Sequence, residues 1–319
     1  MRIFTTKDTL FIRGKWRAAS TGVSGGIRSV TTLLNHTVPQ DFSSSPELRI
    51  SHLAERKGFD PAGTFGLLTA VPMKFLCIVQ IEKITACITA GATHPDPGGY
   101  GTINIIICAD AFLTDAALLD AIITVTEAKT SAMRQSGYDS CGTLTDAVII
   151  ASDIKGSHSD MHNYAGSGTA IGALIDKAVR FGVFEALNRF NGITPCTYPA
   201  YFIYSSIGGG HWFEWKRGPC EYYPCHFAGQ RCDYCYCPLY PCEDETLGEW
   251  VKSISGTDRV WSCARCILNH QPVVVDHLKK FPEAGITELK HLLFQHGLPS
   301  RQKNPGTLQN ANKSQDTPV

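Results

Sequence analysis

Between Thr85 and Ser152 the hydrophobic pattern of the chain changes period twice. FLCIVQIEKITACITAG, GTINIIICAD and GTLTDAVIIAS have the near-continuous, β-branched apolar content of buried strands. Between the last two, Leu118, Ala121, Ile122, Val125 and Ala132 recur at helical spacing, and Ile123 and Ala128 widen the stripe. A helix buried on more than one side is predicted from the candidate N-cap Thr114 to about Gln135, before Gly137. The stretch therefore reads strand, loop, strand, helix, strand, with the Pro- and Gly-rich ATHPDPGGYG as the loop.

Outside this stretch the pattern is plainer. Short β-type runs (RIFT, TLFIRG, KWRAAS) fill residues 2 to 19 and turn at TGVSGGI. There Gly25 and Gly26 serve either a hairpin or a close approach to a ligand. Pro46 to Lys57 carries helix signals, with Ser45 as N-cap, Pro46 at the first position and Gly58 past the end. TAIGALIDKAVRFGVFEALNRF is a further helix, opened by Gly168-Thr169. The segment GSGTAIG that leads into it is not the dinucleotide fingerprint, because its third glycine falls one position late. The expected fold class is α+β: a mixed β-sheet flanked by helices, then a small metal-stapled, cysteine-rich domain.

The polar residues that interrupt the apolar pattern carry the candidate chemistry. Asn104 near the mouth of a strand either satisfies backbone groups or supplies a donor and an acceptor to a bound amide. Glu127 and Lys129 point about 200° apart on a helix, whereas Glu127 and Thr130 share a face. One pocket can thus take Glu127 with Thr130, or Lys129, but not easily all three.

Acidic and basic residues balance at 29 each, so no charge field recruits nucleic acid or a membrane surface. The N-terminus lacks the apolar core of a signal peptide, and no apolar run approaches the roughly 20 residues of a membrane span. A soluble, cytoplasmic protein is expected. Of 13 cysteines, five (Cys77, Cys87, Cys108, Cys141, Cys196) are scattered among apolar residues and read as small buried hydrophobes.

The other eight fall at 220, 225, 232, 235, 237, 242, 263 and 266, with His226 and His270 nearby. These donors suffice for two tetrahedral zinc sites that staple a domain too small to hold a core of its own. The pairing expected from the CxxC spacing puts Cys232, Cys235, Cys263 and Cys266 in one site, and Cys220, Cys225, Cys237 and Cys242 in the other. His226 or His270 could replace a thiolate. Iron or an iron–sulfur cluster is the minority reading. Seven acidic and four basic residues between 220 and 270 argue against a nucleic-acid finger. The expected domains are 1–195, 196–298 and a disordered polar tail, 299–319.

STGVSGGI, TAGATH, GTINIII, ITVTEAKTSAM, GTLTDAVIIAS and YAGSGTAIGALIDKAV, in that order, resemble the motif series of the adenosylcobinamide amidohydrolases of corrinoid salvage. PCHF, CDYCYCPLY and CARCILNH resemble a cysteine-rich small domain sometimes fused to such enzymes. Two departures stand out. Ser24-Gly25-Gly26 replaces an expected Asn-Gly-Gly, and Ala92-Thr93-His94 stands where the family tends to read Gly-Val-Ser-Asn.

The resemblance implies hydrolysis of the amide joining aminopropanol to the corrin ring of adenosylcobinamide, giving adenosylcobyric acid, with cobalt entering as part of the substrate. A corrinoid carrier without hydrolytic activity is the alternative. No HExxH motif is present, and GVSGG at residues 22–26 has the GxSxG spacing but lies in a turn between β-type runs, not at a strand-to-helix elbow, so a carboxylate-activated water leads, with Glu127 or Asp146 as base and Asn104 as oxyanion donor. A hydroxyl nucleophile, Thr143 or Ser20, assisted by Lys129, is second. Gly25, Gly26, His94, Thr102, Thr130, Gly142 and Gly166 join Ser20 as expected substrate contacts, and His94 is alternatively a plain loop residue. A homo-oligomer is compatible with the sequence.

Overall fold

The structure, a computed structural model, describes residues 1–92, 101–154, 161–205, 209–215, 223–234, 237–240, 242–252, 259–281 and 284–301. His94, Cys220, Cys235 and most of the expected tail lie outside the described residues. The chain divides into two compact units, 1–216 and 217–319.

The first unit is built on a ten-stranded mixed sheet. Its path begins with β1 (Arg2–Thr5), β2 (Thr9–Ser20), β3 (Gly26–Thr37), helix α1 (Pro46–Glu55) and β4 (Thr64–Thr69). It continues through β5 (Cys77–Ile81), β6 (Ile84–Ala92), β7 (Gly101–Ala109), the short β8 (Phe112–Leu113), helix α2 (Asp115–Gln135) and β9 (Ala147–Asp153). The two-residue β10 (Met161–His162), which pairs with β8 in a separate two-stranded sheet, helix α3 (Ala170–Phe190), β11 (Ala200–Ser205) and β12 (His211–Trp215) complete the unit. Strand order is β12-β11-β5-β6-β7-β9-β2-β3-β4, with β1 on β2. Pairs β7/β9, β3/β4 and β11/β5 are parallel; the others along this path are antiparallel.

The helix predictions hold at their caps. Ser45 Oγ accepts from Leu48 N, Thr114 Oγ1 from Ala117 N and Thr169 Oγ1 from Gly172 N. The runs in residues 9–20 are not separate strands. They form one strand whose register shifts between Arg13 and Trp16, and at Gly14 a Cβ would stand 2.3 Å from the Trp16 indole. The indole takes the place of a side chain there.

Each face of the sheet has its own core. Ile103, Ile105 and Ile107 of β7 and Ile150 of β9 pack with Leu118, Ala121, Val125 and Ala128 of α2 and Ile175, Val179 and Val183 of α3. On the opposite face Ile106, Cys108, Ile149 and Ala151 pack with Leu10, Ile12, Val30, Leu33, Phe65 and Leu67. The second core needs no helix because the sheet curls: β4 contacts β7, four strands away in the sheet order. Alternation along β7 sends its odd-numbered residues to the helices and its even-numbered ones into the curl.

By its contacts the first compact unit extends past the boundary expected near Pro195. β11 pairs in parallel with β5 and β12 closes on β11, so the first unit runs through Lys216. The fall in apolar patterning near Pro195 marks a Pro-containing connection, not the end of the sheet.

The second unit holds β13 (Glu249–Lys252), β14 (Arg259–Ser262), α4 (Pro272–Lys280) and α5 (Ile286–Gln295). Leu268, Val274, Leu278, Leu289 and Leu293 give it a small apolar cluster, bordered by Cys242, Cys263 and Cys266.

Candidate active site

Because β7 and β9 run parallel and β2 opposes β9, the first residues of β7 and β9 meet the last of β2 at one end of the sheet. Ser20 pairs with Gly26 across the β2–β3 hairpin and with Ile149 of β9. Thr21 ties the hairpin to β9: its N–H donates to Val148 O at 2.9 Å, and its Oγ1 accepts from Val148 N at 2.9 Å. The glycines of TGVSGGI serve the hairpin. A Cβ on Gly25 would stand 2.3 Å from Ser20 O, and Gly26 has φ +99°. Ser24, where Asn was expected, is left-handed at φ +51°, a conformation that Asn tolerates better than Ser. Ser20 Oγ accepts from Gly22 N.

The loop that enters β9 carries the densest polar cluster at this end. Lys129 is buried on α2, 7 % exposed, and its ammonium donates to Asp146 Oδ2. Thr143 donates to Asp146 twice, from Oγ1 to Oδ1 at 2.6 Å and from N to Oδ2 at 3.0 Å. Ile103 N donates to Oδ1 at 2.9 Å. Four donors thus fill the acceptor capacity of one carboxylate. At Gly142 a Cβ would lie 2.4 Å from Asp146 Oδ2 and 2.5 Å from Lys129 Nζ, so the pair occupies the space a side chain would need.

Two further contacts complete this end. Thr102 and Thr145 share a 2.8 Å contact between hydroxyls, and Thr145 Oγ1 lies 3.2 Å from Gly101 O. Thr130 Oγ1 donates to Cys141 O. Lys129, Thr143, Asp146, Gly142, Thr102 and Thr130 therefore gather around the entry to β9.

Three expected site residues do not join them. Asn104 is fully buried in the curl of the sheet. Its amide hydrogens go to Asn35 Oδ1 at 3.0 Å and Leu68 O at 2.9 Å, and Asn35 Nδ2 donates onward to Thr89 Oγ1. Both of its donors are used within the fold, while its Oδ1 is buried with no hydrogen-bond partner among the described residues. Glu127 is exposed on the far side of α2 from Lys129, in a shallow depression with Thr126, Thr130, Ser131 and Arg134. Helical spacing had set those two apart, and of the carboxylates expected as base only Asp146 meets the lysine. Gly166 lies beside Asp120, more than two turns of α2 before Lys129, where its carbonyl accepts from Thr169.

Sequence reasoning missed Thr145 and the Ile103 N–H. Thr145 carries a readable signal, a second hydroxyl two residues after Thr143. A backbone donor carries none.

Of the scattered cysteines, Cys77, Cys87 and Cys108 are buried as expected, and burial raises each thiol, that of Cys108 to about 12. Cys141 is exposed and Cys196 half-buried, because both lie in loops that no core covers. In the second unit Cys220 and Cys235 of the expected pairing lie outside the described residues. Cys237 lies within electrostatic reach of Cys242, Cys263 and Cys266. Cys225 and Cys232 flank Gln230, and His226 stands against His270. Among the described residues no three His, Cys, Asp or Glu side chains already form a group that could hold an ion. The chemistry of the donors, soft thiols with two imidazoles, fits a zinc-type metal.

A mixed sheet with a buried ammonium–carboxylate pair at its end, followed by a cysteine-rich unit, defines the class of protein. The profile of the adenosylcobinamide amidohydrolase family matches residues 2–195, and that of the cysteine-rich small domain matches residues 211–292. An adenosylcobinamide amidohydrolase of Methanosarcina mazei is 41% identical over 148 residues, covering 46% of this chain and 74% of the relative. An uncharacterized protein of Methanocaldococcus jannaschii is 48% identical over 84 residues, 25% of this chain and 70% of its own length. A probable cobalt-factor III C(17)-methyltransferase of Methanothermobacter thermautotrophicus is 49% identical over 63 residues, 19% of this chain and 16% of its own. The chain belongs to the adenosylcobinamide amidohydrolase family and is an amidohydrolase.

Proposed function

We propose that the chain hydrolyses the amide linking aminopropanol to the corrin ring of adenosylcobinamide, releasing adenosylcobyric acid and aminopropanol for corrinoid salvage. Family membership supports the reaction, and the Thr143–Asp146–Lys129 arrangement supports the place. A carboxylate with four donors has no site left for the proton of a water. It can take a proton already shared with it, and Thr143 shares one from a nucleophilic oxygen at 2.6 Å.

Thr143 Oγ accordingly attacks the amide carbon while its proton passes to Asp146. Collapse of the tetrahedral intermediate expels aminopropanol, which takes that proton from Asp146. Water then hydrolyses the ester left on Thr143. Lys129 holds the carboxylate in place and supplies positive charge beside the developing oxyanion. This is the hydroxyl-nucleophile mechanism, second in the sequence reading, and the occupied carboxylate is the observation that favours it.

In this reading the cysteine-rich unit binds structural zinc, and the protein works in the cytoplasm. The unbridged thiols of the described residues suit a reducing compartment. Incubation with adenosylcobinamide followed by mass spectrometry should show both products. Thr143→Val should lower turnover by about 10² to 10⁴, Thr143→Ser should retain part of it, and Glu127→Gln, at an exposed position, should leave turnover near that of the parent. Full activity in Thr143→Val would return the nucleophile to water. Corrinoid binding without turnover in the parent would make the protein a carrier.

A further inference from the structure

Gln230 is 4 % exposed in the second unit, and its side chain makes four contacts. Its Oε1 accepts from the backbone N–H of His226 at 2.7 Å and of Phe227 at 3.1 Å. Its Nε2 donates to the sulfurs of Cys225 and Cys232, at 3.2 Å each. One amide nitrogen thus holds two thiols that lie seven positions apart in sequence. An N–H donated to sulfur is the kind of outer contact that orients a metal-bound thiolate and offsets its charge.

His270 adds a second, independent observation. It is 4 % exposed, and its Nδ1 lies 2.8 Å from the Arg231 carbonyl oxygen. A carbonyl only accepts, so Nδ1 carries the hydrogen and Nε2 keeps the lone pair. Orientation of one ring nitrogen by a backbone carbonyl is the usual way an imidazole is prepared to bind metal through the other. The His226 ring stands edge-on to it, with centroids 4.4 Å apart. His226 follows Cys225, and Arg231 precedes Cys232, so the four donors surround a single loop. The remaining described thiols form a different neighbourhood, in which Cys266 N donates to Cys263 O at 2.9 Å to close the CxxC turn. Cys242 borders the same apolar cluster as Cys263 and Cys266.

We propose that Cys225, His226, Cys232 and His270 form a mixed two-sulfur, two-nitrogen zinc site with Gln230 as its outer amide, separate from an all-sulfur site of Cys237, Cys242, Cys263 and Cys266. The proposal rests on the zinc reading above and divides its ligands. Cys232 and the Cys263/Cys266 pair then serve different ions, and neither Cys220 nor Cys235 is needed as a ligand. Drawing each set onto its ion is part of binding, since metal binding and folding are one process in domains of this size.

X-ray absorption on the full chain carrying zinc tests the division, because zinc–sulfur distances near 2.3 Å separate from zinc–nitrogen distances near 2.0 Å. The unmutated protein should bind about two zinc ions and show an average of about three sulfurs and one nitrogen per ion. His270→Gln should lower nitrogen ligation and weaken one ion, leaving an all-sulfur shell on the other. Cys263→Ser should spare the mixed shell. An all-sulfur average in the unmutated chain, or removal of the same ion by both variants, would overturn the division. Two sites of three sulfurs and one nitrogen would give the same average, so the shell left in His270→Gln decides, with His226→Gln as the second variant if it fails to fold; nitrogen remaining on the retained ion would overturn the division. A chain that binds no zinc would overturn the zinc reading itself, a result that total metal content distinguishes from a wrong ligand set.

Discussion

Lys129 donates to Asp146 through the space left open by the missing side chain of Gly142. The side chains are 9% and 12% exposed, so the pair is nearly removed from water. Removing either partner strands the other charge in a buried place, which costs about 3–5 kcal/mol. Lys129→Met and Asp146→Asn should each lower unfolding stability by that order, and the double variant by clearly less than the sum. Urea unfolding of the three variants checks the coupling, and additive losses would mean that the two groups do not act as a pair.

Asn104 contributes to the fold through its contacts with Asn35 and the Leu68 carbonyl. Asn104→Ala removes these two contacts and leaves buried groups unpaired, with an expected loss of about 1–3 kcal/mol. Turnover per folded molecule should stay near that of the parent, as read by active-site-independent folding probes beside the activity assay. A large fall in turnover at unchanged stability would restore the oxyanion role.

His36 is lowered from its ordinary pKa, first by burial and then by the neighbouring Arg49 guanidinium, whose Nε donates to the ring Nε2 at 3.2 Å. The folded state therefore holds this histidine neutral at a pH where the unfolded chain begins to protonate it. Its contribution is complete above the unfolded value of about 6.5 and is lost as pH falls from there towards the folded value. Stability measured between pH 5 and pH 7 should fall with acid, and more shallowly in His36→Gln. An unchanged slope would assign the acid sensitivity elsewhere.

Truncation separates the two boundaries. A chain of residues 1–216 keeps the whole ten-stranded sheet and should fold and hydrolyse adenosylcobinamide. A chain of residues 1–195 lacks β11 and β12 and leaves β5 an unpaired edge, so it should be less stable and prone to aggregate. Size-exclusion chromatography and thermal unfolding of the two chains provide the comparison.

Local signals carried much of the fold. Ser45, Thr114 and Thr169 mark their helices because a cap is a contact between near neighbours in sequence. The period of the apolar residues likewise placed Lys129 and Glu127 on opposite sides of α2, which left Lys129 to face the core. The motif GTLTDA held Gly142, Thr143 and Asp146, and the family resemblance named the chemistry before any contact was visible. Near Pro195 the apolar pattern and the matched family profile both end, whereas the pairing of β11 and β12 that extends the sheet is not written in local composition.

What only the tertiary structure decided are relationships between distant residues. Asn104 meets Asn35 and Leu68 because the sheet curls, and curl depends on the register of strands that are far apart in the chain. Asp146 became the partner of Lys129 because β9 enters beside β7 under α2, so that the Ile103 N–H and Thr143 fill its remaining acceptor sites. The cysteines show the same limit: spacing counts thiols and suggests a metal, but Gln230 and the Arg231 carbonyl orient Cys225, Cys232 and His270 through space. Sequence by itself determined which residue types were present and the local elements that carry them; packing across the sheet and around one buried amide determined which of them meet.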